Sequence, residues 1–210
     1  MMIASTFSFP LARRSLRRGL AGLLLAAAGT LLWQGAARSE DAIAIAPPAQ
    51  DEAPGNGPLE KTVLAGGCFW GVQGVFQHVQ GVQRVVSGYA GGAAETAHYE
   101  TVGSGRTGHA ESVEVTYDPS LISYGTLLQV FFSVACDPTE LNYQGPDHGT
   151  QYRSALFVKT PGQKSVATAY LAALTTAKVF SAKIVTEVTP FTAFWPAEDY
   201  HQHLLVNNPT

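Results

Sequence analysis

The stretch that most constrains the fold is Gly-Gly-Cys-Phe-Trp-Gly, residues 66–71, because it joins two segments of different periodicity. Residues 61–65 form a short apolar run typical of a buried strand, and the apolar residues of 69–79 recur at helical spacing. Glycines adopt backbone conformations closed to other residues and place no side chain over their neighbour. The stretch therefore predicts a tight strand-to-helix turn that presents Cys68 at a helix N-terminus.

The position of Cys68 indicates a reactive thiol. The first turn of a helix offers unpaired N–H groups and the positive end of the macrodipole, and both lower a thiol pKa from its free value of about 8.5. Phe69 and Trp70 place two aromatic rings beside the sulfur, where they predict the wall of a small apolar pocket. The alternative interpretation is a buried structural cysteine with two core aromatics.

The N-terminal residues have the layout of an export signal. Four arginines, at positions 13, 14, 17 and 18, precede an uncharged apolar run at residues 19–33, and small residues follow at 35–37 and 42–44. We expect residues 1–37 to be a signal peptide and the protein to be periplasmic or secreted. Retention as a membrane anchor is the alternative if cleavage fails, although the run is shorter than the ~20 apolar residues of a spanning helix.

Residues 38–58 are rich in Ala, Pro, Asp and Glu without periodicity, which predicts a flexible linker before one domain at 59–210. Loss of residues 1–37 removes four of the 13 Lys and Arg and none of the 16 Asp and Glu, so the net charge falls to −7. Such an acidic domain is a poor nucleic-acid binder. Two cysteines are too few for a disulfide scaffold, and no metal-ligand spacing is present. We expect a monomer without a bound metal.

Hydrophobic periodicity predicts the order β-α-β-β-α-β-α-β. The predicted strands are residues 61–65, 82–89, 110–117, 152–159 and 183–189, and the predicted helices are 69–79, 123–135 and 161–178, the last two capped by Ser123 and Thr160. This order predicts an α+β two-layer sandwich, in which helices cover a mixed or antiparallel sheet in a split β-α-β, ferredoxin-like arrangement. A long irregular C-terminal tail starts at Pro190, and we expect it to wrap the surface.

Four polar residues elsewhere in the domain are candidates for proton transfer or hydrogen bonding. Glu111 alternates in phase with Val113 and Val115, so its carboxyl faces the core, where burial raises its pKa and suits it to act as a general acid. The alternative is a strand-end Glu whose tip reaches solvent. Tyr99 and Tyr152 carry phenolic O–H donors, although a loop filler and a strand opener are equally ordinary roles for them. By itself, Asp147 is a solvated loop acid.

The turn and several other blocks resemble the A-type peptide methionine sulfoxide reductases. The resemblance extends over residues 61–209 and rests on blocks 67–71, 87–92, 99–102, 105–113, 137–139, 144–154 and 197–202. It implies that Cys68 attacks the sulfoxide sulfur and that Glu111 protonates or hydrogen-bonds the sulfoxide oxygen. It also implies that Tyr99 and Tyr152 line the oxygen site and that Asp147 helps hold the substrate or a water. Phe69 and Trp70 would then form the slot for the substrate methyl group.

The resemblance implies an enzyme that repairs oxidised proteins by reducing methionine S-sulfoxide, through a sulfenic acid on Cys68. We expect no bound cofactor. We do expect an external reductant, either a thioredoxin-like protein or a small thiol. Many relatives carry resolving cysteines in a C-terminal tail, and this tail has none. Cys136 is the internal candidate for that role, with a structural thiol as the alternative because a helix C-terminus disfavours a thiolate.

Two other functions are compatible with parts of the pattern. A cysteine at a helix start together with His109, His148 or His201 is also the arrangement of a Cys-His hydrolase. A non-catalytic module that binds oxidised methionine would keep the aromatic slot without needing Cys68. The buried acid and two tyrosines expected around the sulfur favour the reductase.

Overall fold

The computed structural model of the protein describes residues 42–208, so the expected signal peptide at 1–37 lies outside the described residues. The strands of this part are β1 (Glu60–Gly66), β2 (Val82–Ala90), β3 (Ala110–Tyr117), β4 (Tyr143–Gln144), β5 (Asp147–His148), β6 (Ser154–Val158), β7 (Glu187–Pro190) and β8 (Phe194–Pro196). The α-helices are α1 (Phe69–Phe76), α2 (Tyr99–Val102), α3 (Tyr124–Val130), α4 (Pro161–Thr176) and α5 (Leu204–Asn207). No helix within residues 42–208 is long and apolar enough to cross a membrane.

Six strands form one mixed sheet in the order β7-β6-β1-β3-β2-β8. Every neighbouring pair is antiparallel except β6 and β7, which are parallel. Because β3 lies between β1 and β2 and is antiparallel to both, β1-α1-β2 is a split β-α-β unit. The predicted α+β class and the split arrangement are therefore confirmed.

The two faces of the sheet bury side chains of different size. On the helix side, Leu64 of β1 and Val113 of β3 pack in one large cluster with Phe76 of α1 and Leu127 of α3. The opposite face carries a smaller cluster that includes Ala65 and Ala155, and tail residues Phe191 and Phe194 pack against it. Because odd and even residues of a strand face opposite ways, the alternation in β1 and β3 decides which residues meet the helices.

Both predicted helix caps are present. The Ser123 hydroxyl accepts a hydrogen bond from the Thr126 N–H at 3.1 Å, and the Thr160 hydroxyl accepts one from the Gln163 N–H at 3.0 Å. The predicted helix 123–135 changes its hydrogen bonding after α3, because residues Phe131–Ala135 form a π-helical turn that ends at Cys136. Such turns inside a helix often occur beside functional sites.

Four segments differ from the sequence prediction. The predicted strand 152–159 starts at Ser154, since Thr150–Tyr152 is a turn of 3₁₀-helix, and the predicted strand 183–189 starts at Glu187. The predicted loop through Asp147 contains the short hairpin β4-β5. The tail does more than wrap the surface, because β8 pairs with β2 and extends the sheet. These segments are short or lack periodicity, so their structure depends on distant partners.

Residues 42–58 are the part of the expected linker that the structure describes, and they lie along the helix layer. The Ile43 N–H donates to the Ser133 carbonyl at 2.9 Å, and the Tyr170 hydroxyl donates to the Ala46 carbonyl at 2.6 Å. Ile45 is buried in the large core cluster. Asp51 accepts a hydrogen bond from the Gly125 N–H at the start of α3, at 2.9 Å. These contacts differ from the expected flexible linker, and composition could not predict them because they join residues far apart in the chain.

Candidate active site

The two glycines of the turn allow the chain to pass directly from β1 into α1, with Cys68 immediately before the helix. Gly67 has a φ of +88°, a conformation that favours glycine, and a Cβ atom there would lie 2.6 Å from the Gln144 Cβ. A Cβ on Gly66 would lie 2.7 Å from the Phe131 ring and 2.8 Å from the Cys136 Cβ. Cys68 is the N-cap residue of α1, is partly exposed and carries a free thiol. The predicted strand-to-helix turn is therefore confirmed.

The acidity of the Cys68 thiol is opposite to the sequence prediction. Burial raises its pKa to about 11, the negative charge of Glu111 raises it as well, and hydrogen bonds from the N–H groups of Trp70 and Gly71 lower it only in part. Negative charge on Asp147 adds a further increase. The expected lowering of the pKa was therefore wrong, because desolvation and two carboxyl groups outweigh two backbone donors.

Glu111 lies beneath the turn as a buried carboxyl. Its side chain is 3% exposed, and one carboxyl oxygen accepts a hydrogen bond from the Phe69 N–H at 3.0 Å. Burial raises its pKa to about 7, the bond from Phe69 opposes this, and Asp147 raises it further. The burial predicted from the strand alternation is confirmed. A carboxyl with this pKa is close to half protonated at neutral pH, so it can hold a proton for transfer.

The thiol and the Glu111 carboxyl influence each other. When Glu111 is ionised, its charge opposes ionisation of Cys68, and when Glu111 is protonated this opposition disappears. The form of the site with a protonated acid is therefore also the form in which the sulfur ionises more readily. Nucleophilic attack at sulfur and protonation of a departing oxygen require these two states together.

Aromatic rings surround the turn, as predicted. Phe69 is buried, and its ring centroid lies 6.0 Å from that of Trp70, 6.3 Å from that of Tyr99 and 5.9 Å from that of Tyr89. Trp70 is partly exposed. Phe69 belongs to the large core cluster, as the core interpretation expects, whereas the partly exposed ring of Trp70 leaves an apolar surface beside the thiol, as the pocket interpretation expects.

The remaining predicted site residues meet at the same place. Burial raises the pKa of Tyr152 to about 12, and negative charge on Glu111, Asp147, Tyr99 and Cys68 raises it further. Burial likewise raises the pKa of Tyr99, followed by the charges of Glu111 and Cys68. These mutual influences indicate that the two phenols and Asp147 lie in the neighbourhood of the thiol and the acid. Asp147 is half-buried in β5, so a fully solvated loop position does not describe it.

The tail contributes two residues to the site: Glu198, which sequence reasoning did not consider, and His201, which it considered only as the partner of Cys68 in a hydrolase. His201 is 3% exposed, and its ring lies 4.1 Å from that of Tyr99, 5.4 Å from that of Phe69 and 5.5 Å from that of Trp70. Glu198 accepts hydrogen bonds from the Tyr89 hydroxyl at 2.8 Å and the Tyr99 N–H at 3.1 Å. The signal that could have found them was their place in the matched block 197–202.

The histidines do not form a nucleophile-base pair with Cys68. Neither ring nitrogen of His201 has a hydrogen-bond partner within the described residues, and burial lowers its pKa. The His109 ring accepts from the Gly92 N–H at 3.2 Å and donates to the Ala93 carbonyl at 3.0 Å. His148 is exposed and stacks on Tyr143. This arrangement gives no support to the Cys-His hydrolase.

Cys136 lies close to the turn but inside the core. It follows the π-helical turn, is 7% exposed and packs against Gly66, and its thiol donates to the Ser154 hydroxyl at 3.2 Å. A buried, hydrogen-bonded thiol is a poor nucleophile. Among residues 42–208, no group of three or more His, Cys, Asp or Glu side chains has the geometry to hold a metal ion.

Comparison with known proteins gives the same family for the whole domain. Residues 60–210 match the family model described as peptide methionine sulfoxide reductase. The chain is 61% identical to a peptide methionine sulfoxide reductase MsrA 2 of Mesorhizobium japonicum, an alignment that covers 75% of this chain and 80% of the relative. It is 55% identical to the MsrA 2 of Synechocystis, with 71% of this chain and 70% of the relative covered.

Solved structures agree with these sequence matches. Reduced Mxr1 from Saccharomyces cerevisiae superimposes with a TM-score of 0.67 at 32% identity, and the match covers 75% of this chain and 90% of that chain. Methionine sulfoxide reductase A of Corynebacterium diphtheriae gives a TM-score of 0.63 at 30% identity, with 82% of this chain and 90% of that chain covered.

Proposed function

The chain belongs to the peptide methionine sulfoxide reductase family, and on that premise we propose that it reduces the S epimer of methionine sulfoxide with electrons from an external thiol. Its substrates are oxidised methionine residues in proteins, and free methionine sulfoxide is a smaller substrate of the same site. The observation that carries this proposal is the partly exposed Cys68 thiol above the buried Glu111 carboxyl, whose pKa burial raises to about 7. The product is repaired methionine.

The proposed reaction begins when the sulfoxide enters with its oxygen toward the acid. Protonated Glu111, with the hydroxyls of Tyr99 and Tyr152, hydrogen-bonds that oxygen, and Asp147 helps hold the substrate or a water. The ionised Cys68 sulfur bonds to the sulfoxide sulfur, and Glu111 transfers its proton to the oxygen. The protonated oxygen then passes to Cys68 as the hydroxyl of a sulfenic acid, while the bond between the two sulfurs breaks and its electron pair stays on the methionine sulfur. The substrate sulfur gains two electrons, Cys68 loses two, and methionine departs.

Two external thiols complete the cycle. The first attacks the sulfenic acid, releases water and forms a mixed disulfide with Cys68, and the second displaces Cys68 as a thiol and leaves as part of a disulfide. A thioredoxin-like protein or a small thiol supplies both equivalents. The partial exposure of Cys68 supports direct access by such a reductant.

The arrangement of the pocket supports selection between the two sulfoxide epimers. Phe69 and Trp70 lie on one side of the thiol and supply an apolar slot for the methyl group, whereas the hydroxyl and carboxyl groups supply the oxygen site. A chiral sulfur that fills both at once fits in one configuration. We expect the parent protein with dithiothreitol to produce methionine from the S epimer and none from the R epimer, measured by chromatography of each pure epimer. Equal turnover of both epimers would contradict the proposed pocket.

We propose that Cys136 is a structural thiol and that an external thiol reduces Cys68 directly. In the Cys136→Ser variant a hydroxyl replaces the thiol and can still donate to Ser154, so the fold should be retained. Its turnover with dithiothreitol is expected to match that of the parent within about twofold. Turnover with thioredoxin, thioredoxin reductase and NADPH should also be unchanged. Loss of the thioredoxin-driven activity alone would instead make Cys136 the resolving cysteine.

We propose that the protein is exported and that cleavage follows residue 37, so that the mature protein is periplasmic or secreted. Residues 42–44 form the alternative small-residue cleavage site. In this segment the Ile43 N–H donates to the Ser133 carbonyl and Ile45 is buried. Cleavage there would remove or weaken these contacts. The intact mass of the exported protein tests this proposal. A chain that begins after residue 44, or a full-length chain in the membrane fraction, would contradict it.

A further inference from the structure

A single carboxylate of the C-terminal tail connects two separate parts of the site. One oxygen of Glu198 accepts a hydrogen bond from the hydroxyl of Tyr89, a fully buried residue of β2. Its other oxygen accepts one from the backbone N–H of Tyr99, the first residue of α2. We infer that Glu198 is a positioning residue that holds Tyr99 in the oxygen site. This inference rests on the proposed sulfoxide reduction.

The helix that carries Tyr99 needs such support. α2 contains four residues, and a helix of this length is unstable without tertiary contacts. The first N–H groups of a helix have no acceptor within it, and His98, the residue before α2, provides no side-chain cap. Glu198 provides the missing acceptor from 99 positions further along the chain.

The tail residues on both sides of Glu198 are hydrogen-bonded to β2. The Ala197 N–H donates to the Ser87 carbonyl at 2.9 Å, directly beside Glu198. The side-chain amide of Gln202 accepts from the Ser87 N–H at 3.0 Å and donates to the Ser87 carbonyl at 2.9 Å. The tail is thus fixed to β2 on both sides of Glu198 without any contribution from Tyr99. The sheet therefore holds Glu198 in position, and Glu198 in turn holds α2.

The position of Tyr99 matters because its ring is part of the pocket wall. It stacks on the Phe69 ring at 6.3 Å and lies tilted against the His201 ring at 4.1 Å, and the charges of Glu111 and Cys68 influence its phenol. A small displacement of α2 would move the phenolic hydroxyl away from the sulfoxide oxygen while leaving the thiol and the acid in place. The expected consequence is a lower rate of oxygen transfer with little change in substrate affinity.

A double-mutant cycle tests this relationship. Glu198→Ala removes both acceptor oxygens, whereas an amide at this position can turn so that its oxygen still accepts from the Tyr99 N–H. We expect kcat for methionine S-sulfoxide to fall about tenfold with KM within about twofold, and we expect the same change in a Tyr99→Phe background to lower kcat by less than about twofold. Equal losses in both backgrounds, or no loss in either, would overturn the inference.

Amide hydrogen exchange provides a readout that does not depend on activity. Exchange of residues 99–102 should become faster in Glu198→Ala, whereas Glu100→Ala, which removes an exposed side chain from the neighbouring residue, should leave both exchange and kcat unchanged. If the parent does not reduce sulfoxides, the proposed function fails while the exchange result still decides whether Glu198 holds α2. If Glu198→Ala does not fold, Tyr89→Phe removes one bond to the same carboxylate and takes its place in the cycle and the exchange experiment, with the same outcomes deciding.

Discussion

Replacement of Cys68 by Ser is expected to abolish reduction of methionine S-sulfoxide, with a loss in kcat/KM of about 10³-fold or more. A serine hydroxyl is a far weaker nucleophile than a thiolate, and its oxygen cannot be oxidised to a sulfenic acid and reduced again by a thiol. The measurement is methionine formed per enzyme in the presence of dithiothreitol, by chromatography.

Two comparisons make the Cys68→Ser result specific. Cys136→Ser exchanges the same atoms at the other cysteine and should retain full activity. Affinity of Cys68→Ser for the S-sulfoxide, measured by calorimetry, should survive because the aromatic wall is unchanged. A parent protein that binds oxidised methionine but never yields methionine would instead indicate a binding module, and a parent that cleaves esters or amides without sulfide product would indicate a hydrolase.

Replacement of Glu111 by Gln is expected to lower kcat by about 10² to 10⁴-fold, because the amide cannot deliver a proton to the departing oxygen. The acid acts in its protonated form, and burial raises its pKa to about 7. Reaction also requires an ionised sulfur, so the reactive pair holds a single proton, on the acid. Because the pKa values of Glu111 and Cys68 are about 7 and about 11, activity of the parent should rise with pH up to about 7 and stay level above it. The residual activity of Glu111→Gln should lack this plateau and keep rising with ionisation of Cys68.

The same substitution should have the opposite effect on the thiol. The negative charge of Glu111 raises the pKa of Cys68, so a neutral amide at this position should lower that pKa and leave iodoacetamide alkylation of Cys68 as fast as in the parent or faster. Glu114→Gln is the matched control, because Glu114 is on the same strand but pairs with Lys61 and Lys159. Near-normal turnover in Glu111→Gln would reject the acid role.

The parts of the fold that the sequence predicted well depend on local patterns. Strand β3 begins and ends at the predicted residues, because Glu111, Val113 and Val115 alternate with residues of the opposite face. Ser123 and Thr160 cap α3 and α4 as predicted, because a cap needs only a side-chain oxygen three residues before a backbone N–H. The turn at Cys68 follows from two adjacent glycines between two periodic segments.

The parts that the sequence did not predict depend on distant contacts. Strand β8 has three residues and exists because β2 lies beside it, about a hundred residues away in the chain. His201 and Glu198 reach the pocket through that pairing, and no periodicity in the tail marks them. Ile45 is likewise buried by helices that follow it much later in the chain. Local patterns contain no information about such partners.

The pKa of Cys68 shows the same limit within the site. The sequence indicates the helix N-terminus beside the thiol, which lowers the pKa, and this contribution is present as hydrogen bonds from Trp70 and Gly71. It does not indicate how deeply the sulfur is buried, nor that Glu111 and Asp147 approach it from other elements. Burial and the two carboxyl charges, which dominate the pKa of Cys68, are therefore known only from the folded structure.

A single turnover without reductant tests the central claim most directly. The reduced protein is mixed with excess methionine S-sulfoxide, and both released methionine and the mass of the protein are measured. Methionine occurs in this chain only at residues 1 and 2, so an added oxygen atom is easily assigned to a cysteine. We predict one methionine per protein and one oxygen on Cys68, trapped there by dimedone. Methionine release from protein whose Cys68 is alkylated, or an added oxygen located elsewhere, would contradict the proposed mechanism.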